Sequence, residues 1–431
     1  MNNDTIEYKD PFSNEADQVH FSDDIKTTDT VKTGLLKECS ASVVAYHELN
    51  SVREKQFFDT GELVFPIGNT QLALDLNGHF ADGPYFSAYT RLAFFGHYQI
   101  DEGGKSMGKF GHYLLEEYVS YYSVNKRFGI NIGRHKPQWS NGYHWTPANL
   151  LKPVYDRPSL DSDILIQQQG WDMLHIDLRY GGWNIGLYTV EVADGAGKVS
   201  DRAFTQKGLQ TALRINREGD LDTQLIFHRL KGGDTAAALG LSTLAQDRMT
   251  LRLEAAWEQQ RELPVVSHFR YDHKERQGYL KMVLGTQISL NGGWEFTAEY
   301  LHNTHGYENT EWNQVRAQVD LAQMSLQSTQ AQDAAEFLIN SYDLLKVGQL
   351  RREYLFFMWG NTRLEKKFQY RQSIHYNMDD HSQLHSLECT QNWTEHFSTR
   401  LQAQLFTGCK RCEYGLIPNK GSSAAECQIP L

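Results

Sequence analysis

What the chain lacks narrows its class first. No run of apolar residues approaches the roughly 18–20 that a transmembrane helix needs. Positive charge is in deficit, with 42 Lys and Arg against 53 Asp and Glu and a net charge of −11. That argues against nucleic acid as a partner, because gripping phosphate takes a basic surface. The plain reading of the acidity is a soluble surface. Proline (10) and cysteine (5) are sparse. Cys409-Lys-Arg-Cys412 is a CxxC, but a zinc ribbon needs a second pair, which Cys39, Cys389 and Cys427 do not supply. A disulfide formed in an oxidising compartment, or an ordinary end segment, is the expectation there. No HExxH, P-loop or GxGxxG occurs, and nothing calls for a cofactor or a bound metal. The opening Met1-Asn-Asn-Asp-Thr5 has neither a basic n-region nor an apolar h-region, so no secretion signal is expected in the sequence as written.

What is present is glycine (34), tyrosine (22) and phenylalanine (21), in a chain that is 40% hydrophobic. These residues fall into alternating runs. Phe128, Ile130 and Ile132 share one side of an extended segment, with Gly129, Asn131 and Gly133 on the other. Leu174, Ile176, Leu178 and Tyr180 alternate with His175, Asp177 and Arg179. A Gly181-Gly182 turn then leads to Trp183, Ile185 and Leu187. Glycine pairs between alternating runs signal a hairpin, since both turn residues can take positive φ. The same grammar recurs around Leu72–Leu76, Tyr85–Tyr98, Tyr113–Val124, Leu209–Ile215, Leu221–Arg229, Met249–Trp257, Tyr279–Tyr300, Phe368–Tyr376 and Phe397–Leu405. One segment breaks it. Residues 312–345 are rich in Ala, Gln and Leu without Gly or Pro, and predict a helical insertion in a long loop.

Alternation alone does not separate a membrane barrel from a soluble sandwich. Two features favour the barrel. The runs span about 9–14 residues, where soluble strands average about 5–6 and a tilted membrane strand needs about 9–11. Short turns (Gly181-Gly182, Arg217–Asp220, Asn291–Gly293) also alternate with long connections (135–170, 230–247, 302–350), as outer-membrane proteins arrange them. The expectation is an all-β, antiparallel transmembrane β-barrel of about 14–16 strands over residues 39–431. A polar, poorly ordered arm over 1–38 precedes it. Trp183, Trp257, Trp294 and Tyr300 read as interfacial aromatics. The mean hydropathy of −0.55 is compatible, since only every second strand residue would face lipid.

The block Gly133-Arg-His-Lys-Pro-Gln-Trp139, Asn141-Gly-Tyr-His-Trp-Thr-Pro147, Asn149 and Pro153…Asp156-Arg-Pro158 resembles bacterial outer-membrane, porin-like barrel proteins. In those a strand ending Gly-Arg-Gln precedes Trp-Gly, a Gly-Tyr-aromatic-Asn-Pro turn and an Asp-Pro loop. The chain departs from that pattern at His135, Ser140 and Thr146. The resemblance is tight over about 40 residues. It implies an outer-membrane location, with membrane lipid, lipopolysaccharide, the barrel-assembly machinery and small solutes as partners. Barrels of this type end on a strand with a terminal aromatic. Here residues 413–423 read as the lead-in to such a strand, and the closing strand is expected to be cut short after 423.

The leading expectation is therefore a passive, porin-like channel for small hydrophilic solutes, without catalysis. Its pore-lining candidates are Arg134, Asp177, Arg179, Arg214, Arg252, Glu254, Lys281, Glu299 and Arg371, whose mixed signs favour neither anion nor cation. The aromatic, proline-stiffened loop carrying Trp139, Tyr143, Trp145, Pro147, Asn149 and Asp156 is the candidate constriction. Two alternatives stay open. One is a barrel enzyme with a rim site near His375, His381 and His385; the other is a soluble all-β glycan-binding or structural protein. Gly104-Lys-Ser-Met-Gly108 fits G-x-S-x-G but sits in a turn before a strand, not between strand and helix. Asp156, Asp161 and Asp163 read as solvated loop acids before calcium ligands.

Overall fold

The computed structural model describes residues 36–52, 66–82, 85–101, 106–137, 139–140, 142–151, 170–192, 208–230, 233–246, 248–345, 349–361, 367–394, 397–409, 411–416 and 419–430. Residues 1–35 of the expected arm lie outside these, and 36–38 already belong to a strand.

Among the described residues eighteen strands make up one sheet, more than the 14–16 expected from sequence. The first nine are β1 (Leu36–Val52), β2 (Pro66–Asp82), β3 (Phe86–Asp101), β4 (Ser106–Tyr122), β5 (Phe128–His135), β6 (Trp171–Tyr180), β7 (Trp183–Val192), β8 (Gly208–Arg217) and β9 (Leu221–Arg229). The other nine are β10 (Thr235–Ala245), β11 (Met249–Ser267), β12 (Arg270–Ser289), β13 (Trp294–Asn303), β14 (Glu353–Asn361), β15 (Phe368–Asn377), β16 (Gln383–Thr394), β17 (Phe397–Thr407) and β18 (Asn419–Pro430). Each pairs antiparallel with the strands before and after it in the chain. β1 pairs with β2 on one side and with β18 on the other, Ser42 lying opposite Pro430. The pairing order is therefore cyclic. β18 runs through the point at which the sequence predicts the last strand to stop, and it pairs with both β17 and β1.

Two of the strands that the sequence reading did not name are ones whose two faces do not contrast. In β10 the inner positions are Ala236, Ala238 and Gly240, and the outer ones Ala237, Leu239 and Leu241, so no polar face marks it. In β14, Tyr354, Phe356 and Met358 face in and Leu355, Phe357 and Trp359 face out. Both faces are apolar. The segment 230–247, expected to be a long connection, is thus mostly strand; the connections 136–170 and 304–352 remain long.

Where alternation is clear, its polarity is the reverse of a water-soluble protein. Exposed faces carry Leu72 (56% exposed), Ile132 (58%), Phe227 (52%) and Leu401 (60%), while the buried faces carry Asn131, His175, Asp177, Gln224, Glu254, Gln287 and Glu299. The apolar side chains line up across strands. Phe128 lies opposite Leu178, Leu178 opposite Ile185, Ile185 opposite Ile215, Ile215 opposite Leu225, and Leu225 opposite Leu239. This row is an apolar belt on the exposed face of the sheet. Of the four aromatics, Trp183 and Trp294 open their strands on the exposed side, Trp257 lies in mid-strand, and Tyr300 is half-buried beside Glu353.

The helical insertion forms two helices, α1 (Asn309–Ser325) and α2 (Ala331–Leu345). Glu311 caps α1 by accepting the Glu308 N–H at 3.0 Å. Trp312, Val315, Val319 and Ala322 form its buried stripe, packed on Ala334, Phe337, Leu338 and Leu344 of α2. Val266, Phe269 and Tyr271, from the tip of the long β11–β12 hairpin, close the cluster, and Tyr271 Oη meets Ser341 Oγ at 2.8 Å. A one-turn helix between β17 and β18, α3 (Glu413–Leu416), adds Leu416.

Candidate functional site

The connection from β5 to β6 turns back onto the inner wall, and two buried carboxylates hold it there. Glu254, in β11, is 1% exposed; Glu299, in β13, is 2% exposed. Glu254 accepts the Gly142 N–H at 2.7 Å, the Ala148 N–H at 3.2 Å and the Ser140 hydroxyl at 2.6 Å. Glu299 accepts three consecutive backbone N–H groups: Tyr143 at 2.7 Å, His144 at 3.0 Å and Trp145 at 3.1 Å. A carboxylate out of water is costly unless several donors satisfy it, and a loop folded inward needs acceptors for its own N–H groups. Each solves the other's problem. Gly285 lies between these strands in register, opposite both Arg252 and Glu299. A Cβ there would come within 3.2 Å of the Glu299 side chain.

The loop's side chains seat on the same wall. Trp139 packs edge-on against Tyr188 at 4.7 Å, over a floor of Ala212, Ala238 and Ala256, and its carbonyl accepts from the Gln224 amide. Leu151 and Ala148 share that cluster, and the Trp171 indole N–H donates to the Leu151 carbonyl at 2.7 Å. Trp145 lies against Val283, Leu301, Tyr354 and Phe356. The His144 ring stacks on Phe356 at 4.4 Å and meets the His375 ring edge-on at 4.3 Å. Tyr143 reaches the Met358 sulfur at 2.9 Å. Residues 139–151 thereby bridge inner positions from β7 to β14. Pro147 and Asn149 are half-buried in a turn closed by Asn149 N–H donating to Thr146. Asp156, Asp161 and Asp163 lie outside the described residues.

Most of the lining candidates share the loop's face. Asp177 lies 2.9 Å from the His175 Nε2, with that ring stacked on Tyr188 at 4.0 Å. Arg214 donates to Gln224 at 2.9 Å, and Arg252 to Gln287 at 2.8 Å. Lys281 and Arg179 follow the inner parity of their strands, Arg179 at the strand end. On β15–β17, Glu388 stands between Arg371 (3.6 Å) and Arg400 (3.7 Å). Arg134 is a correction. It falls on the same side of β5 as Phe128, Ile130 and Ile132, and it makes a two-pronged pair with Asp172 at 2.9 and 2.7 Å. Counting by twos from Ile132 already puts it on the apolar face; its charge is accommodated because Asp172 lies opposite it at the strand end.

The alternative rim chemistry finds little geometry. His375 is buried on the inner wall. His381 sits in the β15–β16 turn, against the Tyr376 hydroxyl at 2.6 Å, and His385 lies on the opposite face of β16 from Leu384. Ser382, in the same turn, donates to Asp380 at 2.6 Å but is fully buried. Among the described residues no group of three or more His, Cys, Asp or Glu could hold a metal ion. Cys409 and Cys412 form a disulfide.

Solved structures share this architecture. Acinetobacter baumannii OccAB1 is similar over 93% of this chain and 98% of its own, with a TM-score of 0.53 at 8% identity. Pseudomonas aeruginosa OpdK with vanillate matches over 92% and 100%, with a TM-score of 0.51 at 9% identity. Pseudomonas aeruginosa OccK7 (OpdD) matches over 91% and 98%, with a TM-score of 0.51 at 9% identity. The fold is that of the porin-like outer-membrane β-barrels. No family model matches the sequence, and no curated protein is similar to it. At these identities the likeness carries the porin-like architecture and nothing finer.

Sequence reading singled out Glu254 and Glu299 as polar-face residues and the loop as a constriction, but not that the first hold the second. It also passed over Ser140, Gly142, Gln224 and the alanine floor. One signal was available: the run Ala236-Ala-Ala-Leu-Gly240 is too small for an ordinary wall and fits a wall that something leans on.

Proposed function

We propose that the cyclic sheet is a closed barrel spanning the outer membrane, and that it passes small hydrophilic solutes through a lumen narrowed by residues 139–151. The observation that carries this is the reversed polarity of the wall. Leu, Ile, Phe and Trp are exposed on one face, and Glu, Asp, His and Gln are buried on the other. In water that arrangement is costly on both faces; in a bilayer the exposed belt meets hydrocarbon and the polar face meets the lumen. Lipid and lipopolysaccharide are then the outer contacts, and the barrel-assembly machinery inserts the chain. Solute choice falls to the loop and to the polar face beyond it, where Arg371, Glu388 and Arg400 bring both signs of charge together. OpdK, of like fold, was solved with vanillate, a small carboxylic acid, which supports a small solute as cargo.

The test is planar-bilayer conductance of the purified protein, alongside its gel mobility before and after boiling. Discrete conductance steps and a heat-dependent shift are expected. A protein that stays in the aqueous fraction and gives neither would sink the reading.

A further inference from the structure

The disulfide is the motif that a channel does not need. It closes Cys409-Lys-Arg-Cys412, between β17 and α3, and it joins two residues of unlike burial: Cys409 is exposed, whereas Cys412 is 5% exposed. The four residues and α3 after them form the tie between the helical insertion and the wall. Inside the clasp, Arg411 pairs with Asp320 of α1 at 3.1 Å. Directly after it, the fully buried Glu413 accepts from Leu350 N–H (3.0 Å), Tyr354 Oη (2.6 Å) and Asn377 Nδ2 (2.7 Å), so one carboxylate joins the end of the helical connection to β14 and β15. The Glu413 N–H itself donates to Asp380 at 2.7 Å. Leu416 completes the cluster formed by Trp312, Phe337 and Leu338. The path of the clasp leaves little slack, since a Cβ on Gly415 would collide with the Cys409 carbonyl.

We propose that Cys409–Cys412 is a thiol-addressable latch: a small thiolate attacks the exposed Cys409 sulfur, and opening the bond loosens the helices α1 and α2 from the wall. The burial of Cys412 fixes which sulfur is attacked. The incoming thiolate bonds to Cys409 Sγ, the Sγ–Sγ bond breaks, and its electron pair leaves on Cys412 Sγ, which takes up a proton from solvent. That sulfur lies 3.3 Å from the Asp380 carbonyl, so the new thiol has an acceptor in place. A second thiolate resolves the mixed disulfide at Cys409; two small thiols leave as one disulfide, and the protein keeps two thiols. The four-residue loop then regains the freedom that the crosslink removed, and Arg411 and Glu413 lose the geometry that aims them at Asp320 and at the β14–β15 wall. The proposal does not rest on the channel reading, because both the chemistry and the readout belong to the helical insertion.

The experiment is hydrogen exchange of the full-length folded protein in detergent, with and without dithiothreitol, the free thiols at 409 and 412 being mapped by alkylation and mass. Reduction is expected to speed exchange about tenfold over residues 309–325 and 413–416 while 249–257 stays unchanged, with reoxidation restoring it. The Cys409→Ser/Cys412→Ser double variant should show the faster exchange without reductant and no response to it. Chemical reduction of the wild type keeps the test valid should that variant fold poorly. Two results would overturn the proposal: both thiols appearing with exchange in 309–325 unaltered, or a bond that dithiothreitol opens only after denaturation.

Discussion

Removing the two carboxylates that hold residues 139–151 should free that segment from the wall. Glu299→Ala strands three N–H groups; Glu254→Ala strands the Ala148 N–H and the Ser140 hydroxyl, while the Gly142 N–H keeps Ser140 Oγ at 3.0 Å. An abandoned buried donor costs about 1–3 kcal/mol; water entering the lumen recovers part of that, leaving about 3 kcal/mol per carboxylate. The double variant then shifts the balance between docked and free loop by about 6 kcal/mol, or roughly four orders of magnitude. Trp139 and Trp145 still bury their rings against Tyr188 and Phe356, so the single variants should remain mostly docked. Two measurements follow the loop. Single-channel conductance should rise in the double variant and show extra flicker in either single one, and protease should cut within 139–151 only in the double. Glu299→Gln, with one acceptor oxygen where there were two, should fall between wild type and alanine. A double variant with wild-type conductance and a protected loop would refute the reasoning, for the loop would then be held by ring packing alone.

Burial pushes the Glu413 carboxyl up to about 7, from an ordinary value of 4.5, against the Tyr354 and Leu350 donors that favour its charged form. The folded state therefore holds the proton more tightly than the unfolded one. The stabilisation is full below about 4.5 and is lost as pH climbs to 7, amounting to about 3 kcal/mol; exchange in 309–325, corrected for its intrinsic rate, should be faster at pH 8 than at pH 5, and Glu413→Gln should flatten the dependence. Leu225→Arg puts a charge in the outer apolar row and should cost about 2–4 kcal/mol in lipid, read as a lower unfolding midpoint in denaturant; a change within error would mean that this face does not meet hydrocarbon. Ala256→Phe fills the floor beneath Trp139 and should cost about 1–3 kcal/mol, read, as for the single carboxylate variants, as extra flicker in the single-channel record without loop cleavage.

The hairpins were legible because one physical contrast, an apolar exposed face against a polar buried one, writes itself into every second residue. Leu174, Ile176 and Leu178 against His175 and Asp177 need no further context. The contrast fails where the lumen side is not wet. Beneath the loop the inner face of β10 must be small and that of β14 must be apolar, so Ala236-Ala-Ala-Leu-Gly240 and Tyr354-Leu-Phe-Phe-Met358 present no alternation. Arg134 misled for a related reason: an arginine at a strand end was assigned by its charge, though its parity with Ile130 and Ile132 put it outside.

The loss of pattern and the docking of the loop are thus one fact with two faces. A segment folded into the ring makes its own local core, with Trp139 and Trp145 as the buried rings and alanines as the bed. Strands that serve this core read like those of a soluble protein. The carboxylates are the remaining exception to that local dryness. Glu254 and Glu299 look like lumen residues in sequence because they are charged, and they tolerate burial because the loop's backbone supplies the donors that water would have given. A strand run that loses its alternation next to an isolated inward glutamate is therefore the sequence trace of an infolded loop. Gly285 opposite Glu299 fits that trace, leaving room beside the carboxylate that a larger neighbour would take.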